Sequence, residues 1–211
     1  MSSSEPAIDD TLDTPFFLRW LTAAATSVSR EAARLTDLDS AIGDADHGTN
    51  MQRGFAAVAE ALEKEPPGSP GATLILAGRQ LISKVGGASG PLYGTLLRRA
   101  GKALGDAEQI TPQQLADALR AGVDAVAQLG GAAPGDKTML DALLPAVEAL
   151  GGATGSFAAA GEAAEKGALA TVPMLARKGR ASYLGERSIG HQDPGATSSA
   201  LLIAALAEAA R

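Results

Sequence analysis

Leu38-Asp39-Ser40-Ala41-Ile42-Gly43-Asp44-Ala45-Asp46-His47-Gly48-Thr49-Asn50 is the first of four polar, glycine-containing stretches in a chain otherwise rich in Ala and Leu. The others are Gly86-Gly87-Ala88-Ser89-Gly90-Pro91, Pro134-Gly135-Asp136-Lys137-Thr138-Met139, and the run from Gly179-Arg180 to Asp193-Pro194-Gly195. Between them, apolar residues recur at a period of 3.6 and β-branched alternation is absent, so the spacing predicts helices. Eight are expected: Pro15–Leu35, Thr49–Glu63, Ala72–Val85, Pro91–Leu104, Pro112–Leu129, Lys137–Leu150, Ser156–Lys178 and Pro194–Ala210. Thr14, Thr111, Asp136 and Asp193 are the expected N-caps, and Pro173 an expected kink.

The four polar stretches fall in every second connection. The alternate connections, such as Pro66-Pro67-Gly68 and Gly151-Gly152-Ala153, carry no chemistry. In an antiparallel up-and-down array, alternate loops share an end. The expected fold is therefore all-α, an eight-helix antiparallel up-and-down barrel or bundle with a site at one end. Residues 14–211 form one domain in this reading, and residues 1–13 a flexible N-terminal extension. The long irregular run Gly179 to Gln192 has the character of a lid.

At 211 residues and a formal net charge of −6, the chain has core material for one domain but suits nucleic acid poorly. It has no cysteine, which removes disulfides and thiolate metal sites. No apolar run reaches membrane-spanning length and the start lacks a secretory pattern, so a cytoplasmic location and no membrane association are expected.

Asp39, Asp44 and Asp46 lie across a turn containing Gly43. Three close carboxylates repel one another unless a cation lies between them, and their hard oxygens suit Mg²⁺ or Ca²⁺ rather than Zn²⁺. No Glu stands where an EF-hand loop would need one. The opposing interpretation is that these Asp residues cap the second helix, but a cap needs one carboxylate. His47, Gly48, Thr49 and Asn50 open that helix, where backbone N–H groups favour a phosphate. Gly86 to Gly90 has the composition of a phosphate loop, with Ser89 as a side-chain donor. It is not a Walker A motif, having neither the Lys-Ser/Thr nor a preceding strand. Gly130-Gly131 lets a ligand ring approach the backbone, though helix termination alone would explain the pair, and Met139 could pack on such a ring or serve the core. Arg177, Lys178, Arg180 and Arg187 put four cations within the last stretch and the two residues before it.

Together these motifs resemble the nucleotide-binding L subunits of bacterial dihydroxyacetone kinases, from about Thr14 to the C-terminus. The resemblance implies an eight-helix barrel holding ADP or ATP with two Mg²⁺ ions. The metal ligands would be Asp39, Asp44 and Asp46. Phosphate contacts would be His47, Gly48, Thr49, Asn50, Ala88 and Ser89, and the adenine and ribose surroundings Gly130, Met139, Arg180, Asp193, Pro194 and Gly195. No protein nucleophile is implied. The activity implied is phosphoryl transfer to dihydroxyacetone, which a separate K subunit holds. In one variant of the family the K-like and L-like domains are fused and ATP is the substrate. In the other, ADP is a resident coenzyme recharged by a phosphotransferase-system phosphocarrier (M-type) subunit. With no K-like segment before Arg211, the second is expected; a homodimer is left open. The competing expectations are a kinase for another small ketose, a fatty-acid kinase domain, a nucleotide-loaded regulatory module, or a structural bundle.

Overall fold

A computed structural model describes residues 11–153 and 155–211. Its elements are β1 (Leu12–Asp13), α1 (Thr14–Ile42), α2 (His47–Lys64), α3 (Pro70–Lys84), α4 (Ser89–Leu104), β2 (Gln109–Ile110), α5 (Pro112–Gly130), α6 (Leu140–Gly151), α7 (Phe157–Ala170), a 3₁₀ segment (Arg180–Ser188) and α8 (Pro194–Ala209). Each helix packs on the next and α8 returns to α1, so the eight α-helices among the described residues close into a ring. The all-α expectation therefore holds. The connections α1–α2, α3–α4, α5–α6 and α7–α8 all line one cavity, as the parity of the loops requires of an up-and-down order. No helix among the described residues is long and apolar enough to cross a membrane.

The core follows from the apolar stripes. Phe17, Trp20, Leu21 and Val28 of α1, Phe55 of α2, Leu74 of α3, Leu96 of α4 and Leu206 of α8 are fully buried. The Trp20 indole N–H donates to the Leu202 carbonyl at 2.8 Å, which pins the closing contact between α1 and α8.

Several boundaries differ from expectation, each for a local reason. The ordered fold starts before Thr14. Leu12 is buried and pairs with Ile110 in an antiparallel two-residue ribbon. Asp13, not Thr14, caps α1 by accepting from the Phe16 N–H. Of the expected extension, residues 1–10 lie outside the described residues. Helix α1 runs past Leu35 to Ile42, because Leu35, Asp39 and Ile42 continue its buried stripe. Helix α6 starts at Leu140 rather than Lys137, since Lys137 has φ 64 and cannot continue a right-handed helix. Asp136 is thus not its cap; it accepts from the Ala133 N–H within the preceding turn. Helix α7 ends at Ala170, where Thr171 turns its hydroxyl back to the Ala168 carbonyl. Pro173 therefore lies beyond that helix and does not kink it. Asp193 caps α8 as expected, accepting from the Ala196 N–H.

Candidate nucleotide and metal site

A cavity of about 300 Å³ opens where the four motif loops meet. One side is acidic and the other apolar. Helix α1 carries Asp39 in its last turn, and the tight 43–46 turn brings Asp44 and Asp46 back beside it. One oxygen from each carboxylate lies within 4.8 Å of the others. Two backbone features make the turn. Ala45 sits at φ 60, a conformation that costs a non-glycine residue of order 1 kcal/mol or more. Gly43 is packed so closely that a Cβ there would lie 2.0 Å from Asp39 Oδ1. Asp39 itself is buried, and its Oδ2 accepts the N–H groups of Asp46 and His47 at 2.9 and 3.1 Å. Asp44 and Asp46 are exposed, and Arg180 Nη1 approaches Asp44 Oδ2 at 3.1 Å. A hard-oxygen trio partly neutralised by an arginine fits a divalent cation such as Mg²⁺.

His47 is buried and its pKa lies below the usual 6.5, because burial outweighs the pull of Asp39, Asp46 and Asp44. A neutral ring donates through one nitrogen and accepts through the other. Its Nε2 meets the Ser198 hydroxyl at 2.8 Å and its Nδ1 the Ser89 hydroxyl at 3.2 Å. The Tyr93 hydroxyl continues this chain to Ser198 and Ser199, both at 2.7 Å, and donates to the Gly195 carbonyl when its proton points there. Burial holds the phenol well above its usual pKa, so Tyr93 stays protonated. With both ring nitrogens engaged, His47 orients Ser89, which stands at the N-terminus of α4.

Of the residues singled out from the sequence, Asp39, Asp44, Asp46, His47, Ala88, Ser89, Gly130, Met139, Arg180, Asp193, Pro194 and Gly195 all line the cavity. Gly48, Thr49 and Asn50 do not. A Cβ on Gly48 would lie 2.0 Å from the Ala32 carbonyl oxygen, so this glycine serves the crossing of α1 and α2. Asn50 is buried, accepts from Arg53 Nη2 at 2.7 Å and packs beneath Gly86. Thr49 is exposed. Leu92, Val126 and Leu140 join Met139 in the apolar wall. Periodicity marks these three as core, and nothing local says that they face a cavity.

Two polar residues escaped the sequence reading. Asp141 accepts the N–H groups of Gly135 and Thr138 at 2.6 and 2.8 Å and so shapes the turn before α6. Lys137 is 1% exposed, and burial lowers its pKa. Its ammonium donates to the carbonyls of Thr171, at 2.6 Å, and His191. Its place among polar loop residues gave no signal of burial.

Asp193 is the strongest titration handle. Burial pushes its pKa from 3.8 to about 7; the Ala196 N–H and Lys137 oppose this, while Asp141 and Asp39 add to it. The folded state holds this proton more tightly than the unfolded chain. The group's contribution to stability is thus complete below pH 3.8 and lost as pH rises to about 7. Asp193→Asn keeps an acceptor for the Ala196 N–H but cannot ionise. Relative to this variant, the wild-type melting temperature is expected to fall across that window. Parallel profiles of melting temperature against pH would refute the assignment.

The family model described as the DAK2 domain matches residues 41–208. Over 201 residues the chain is 47% identical to the "PEP-dependent dihydroxyacetone kinase, ADP-binding subunit DhaL" of Escherichia coli (strain K12), covering 92% of this chain and 96% of that one. It is 43% identical over 196 residues to the "PEP-dependent dihydroxyacetone kinase 1, ADP-binding subunit DhaL" of Listeria innocua, covering 93% and 96%. Among solved structures it resembles the dihydroxyacetone kinase from C. freundii in complex with AMP-PNP and Mg²⁺, with a TM-score of 0.72 and 27% identity over 99% of this chain. The chain spans only 36% of that longer protein.

Proposed function

The chain belongs to the DAK2-domain family, and on that footing we propose that it is the ADP-binding subunit of a phosphoenolpyruvate-dependent dihydroxyacetone kinase. The observation that carries this is the junction, in one cavity, of a three-carboxylate trio with an apolar slot. A structural bundle needs neither. Near-complete coverage of free-standing ADP-binding subunits supports the recharged-coenzyme variant over the fused ATP-dependent one.

Asp39, Asp44 and Asp46 would hold Mg²⁺, which when bound supplies neutralisation of phosphate charge and in-line orientation. The remaining work belongs to the chain. Ser89, oriented by His47, and the N–H groups opening α4 hold phosphate oxygens. Leu92, Val126, Met139 and Leu140 flank the base and exclude water on that side. Arg180 offers a guanidinium fork that suits a phosphate and lies beside the acidic trio. No side chain is needed as a nucleophile, because the acceptor hydroxyl belongs to dihydroxyacetone on a separate K-type subunit. A phosphotransferase-system subunit would dock at the same rim to recharge the nucleotide.

The test is the small-molecule content of the purified protein after exhaustive desalting, alongside metal analysis. The expected result is one ADP per chain with about two Mg²⁺. An empty protein that binds ATP reversibly would favour the ATP-dependent variant. No nucleotide under any Mg²⁺ condition would overturn the reading.

A further inference from the structure

We infer that Lys137 is a positioning residue that closes the neck of the 171–193 segment and thereby holds the cationic wall Lys178–Arg180 over the cavity. This deepens the nucleotide reading and depends on it only for the ligand.

Lys137 sits in the left-handed region at φ 64, where a non-glycine residue is uncommon, and the two Asp141 hydrogen bonds brace the turn that carries it. Its side chain is almost wholly buried. The two carbonyls that receive its ammonium, Thr171 and His191, stand at the two ends of the segment. One cation therefore ties both ends to the turn before α6. The ammonium has three hydrogens, and the residue also lines the cavity.

Further bonds run along the same neck. The Arg177 N–H donates to the Asp136 carbonyl at 3.1 Å, the Gly190 N–H to the Val172 carbonyl at 2.8 Å, and the Asp193 N–H to the Thr171 hydroxyl at 2.9 Å. Beyond the neck, the segment is held by less. Ala176 and Ala181 pack on Ile42 of α1, and Arg180 pairs with Asp44 through a largely exposed side chain. An exposed ion pair contributes little. The order of the wall thus depends on its root. An apolar residue of similar length at position 137 would remove the one donor that the Thr171 and His191 carbonyls share, leaving the Thr171 carbonyl only the Met174 N–H at 3.1 Å, whereas arginine can still bridge them.

The test uses the full chain and three variants, Lys137→Met, Lys137→Arg and Thr171→Val. The last removes the hydroxyl that serves the Asp193 N–H at the same neck and gives a second lesion should Lys137→Met not fold. Amide hydrogen exchange is read without nucleotide, and the release rate of ADP is read in Mg²⁺. Exchange across residues 172–190 is expected to rise about tenfold or more in Lys137→Met and in Thr171→Val, with peptides of α1 to α4 unchanged. ADP release should accelerate by about tenfold in the same variants, and Lys137→Arg should recover most of both effects. Unchanged exchange in 172–190, or a uniform rise over the whole chain, would overturn the neck role and leave Lys137 as a general stabiliser. If no protein in the set retains ADP but the local exchange pattern appears, the neck stands and the nucleotide reading falls.

Discussion

Replacing Asp44 and Asp46 together by Asn is expected to weaken Mg²⁺-dependent ADP binding by more than about a hundredfold while leaving the melting temperature nearly unchanged. The two carboxylates are suited to this test because they do little else. Both are exposed, and Asp46 makes no side-chain cap bond to α2 although it stands at the cap position. The ion pair lost, Arg180 with Asp44, is solvent-exposed and worth at most about 1 kcal/mol. Relief of carboxylate repulsion offsets part of that. Asp39 would be the wrong choice, since it also accepts two backbone N–H groups and its loss mixes folding with binding. Titration calorimetry with ADP in Mg²⁺ and a thermal melt would check both halves. Unchanged affinity in the double variant would remove the acidic trio from the site.

Gly48→Ala is expected to destabilise the fold by about 3 kcal/mol, near the top of the range for overpacking, because its obstacle is backbone. The added methyl would meet the Ala32 carbonyl oxygen at 2.0 Å and Thr36 Oγ1 at 2.4 Å. Neither α1 nor α2 can yield by rotating a side chain; the helices must part. For a chain of this size the melting temperature would fall by roughly 6–12 °C. Nucleotide affinity should fall with it, as Asp39, Asp46 and His47 sit at the same corner. The result discriminates between two roles for this glycine. If Gly48 chiefly admitted a phosphate to the backbone, alanine would lower affinity and spare the melting temperature.

Gly48 also marks where sequence legibility stopped. A glycine in the first turn of a helix beside three Asp residues reads the same whether it admits a phosphate or another helix. The reasons lie at Ala32 and Thr36, one helix earlier, and no spacing rule connects them. Thr49 and Asn50 misled similarly: they have the right chemistry at a helix N-terminus, but the helix turns them away from the cavity. Asp136 had cap chemistry and the right neighbours, but the left-handed turn at Lys137 moved the start of α6 to Leu140.

What the sequence determined by itself was the helical class, the eight α-helices found among the described residues, the parity of the motif loops, and the acidic trio with about half of the cavity lining. These are short-range properties: apolar period, breaker position and residue chemistry within one turn. What only the tertiary structure decided was which helix faces cross closely at Gly48, that Asp39 belongs to α1 rather than to a loop, and that Lys137 is buried between two carbonyls from distant residues. Each depends on desolvation and contact between segments far apart in the chain. Whether a polar residue meets water, a ligand or a carbonyl is settled by what packs against it, and local spacing holds no record of that.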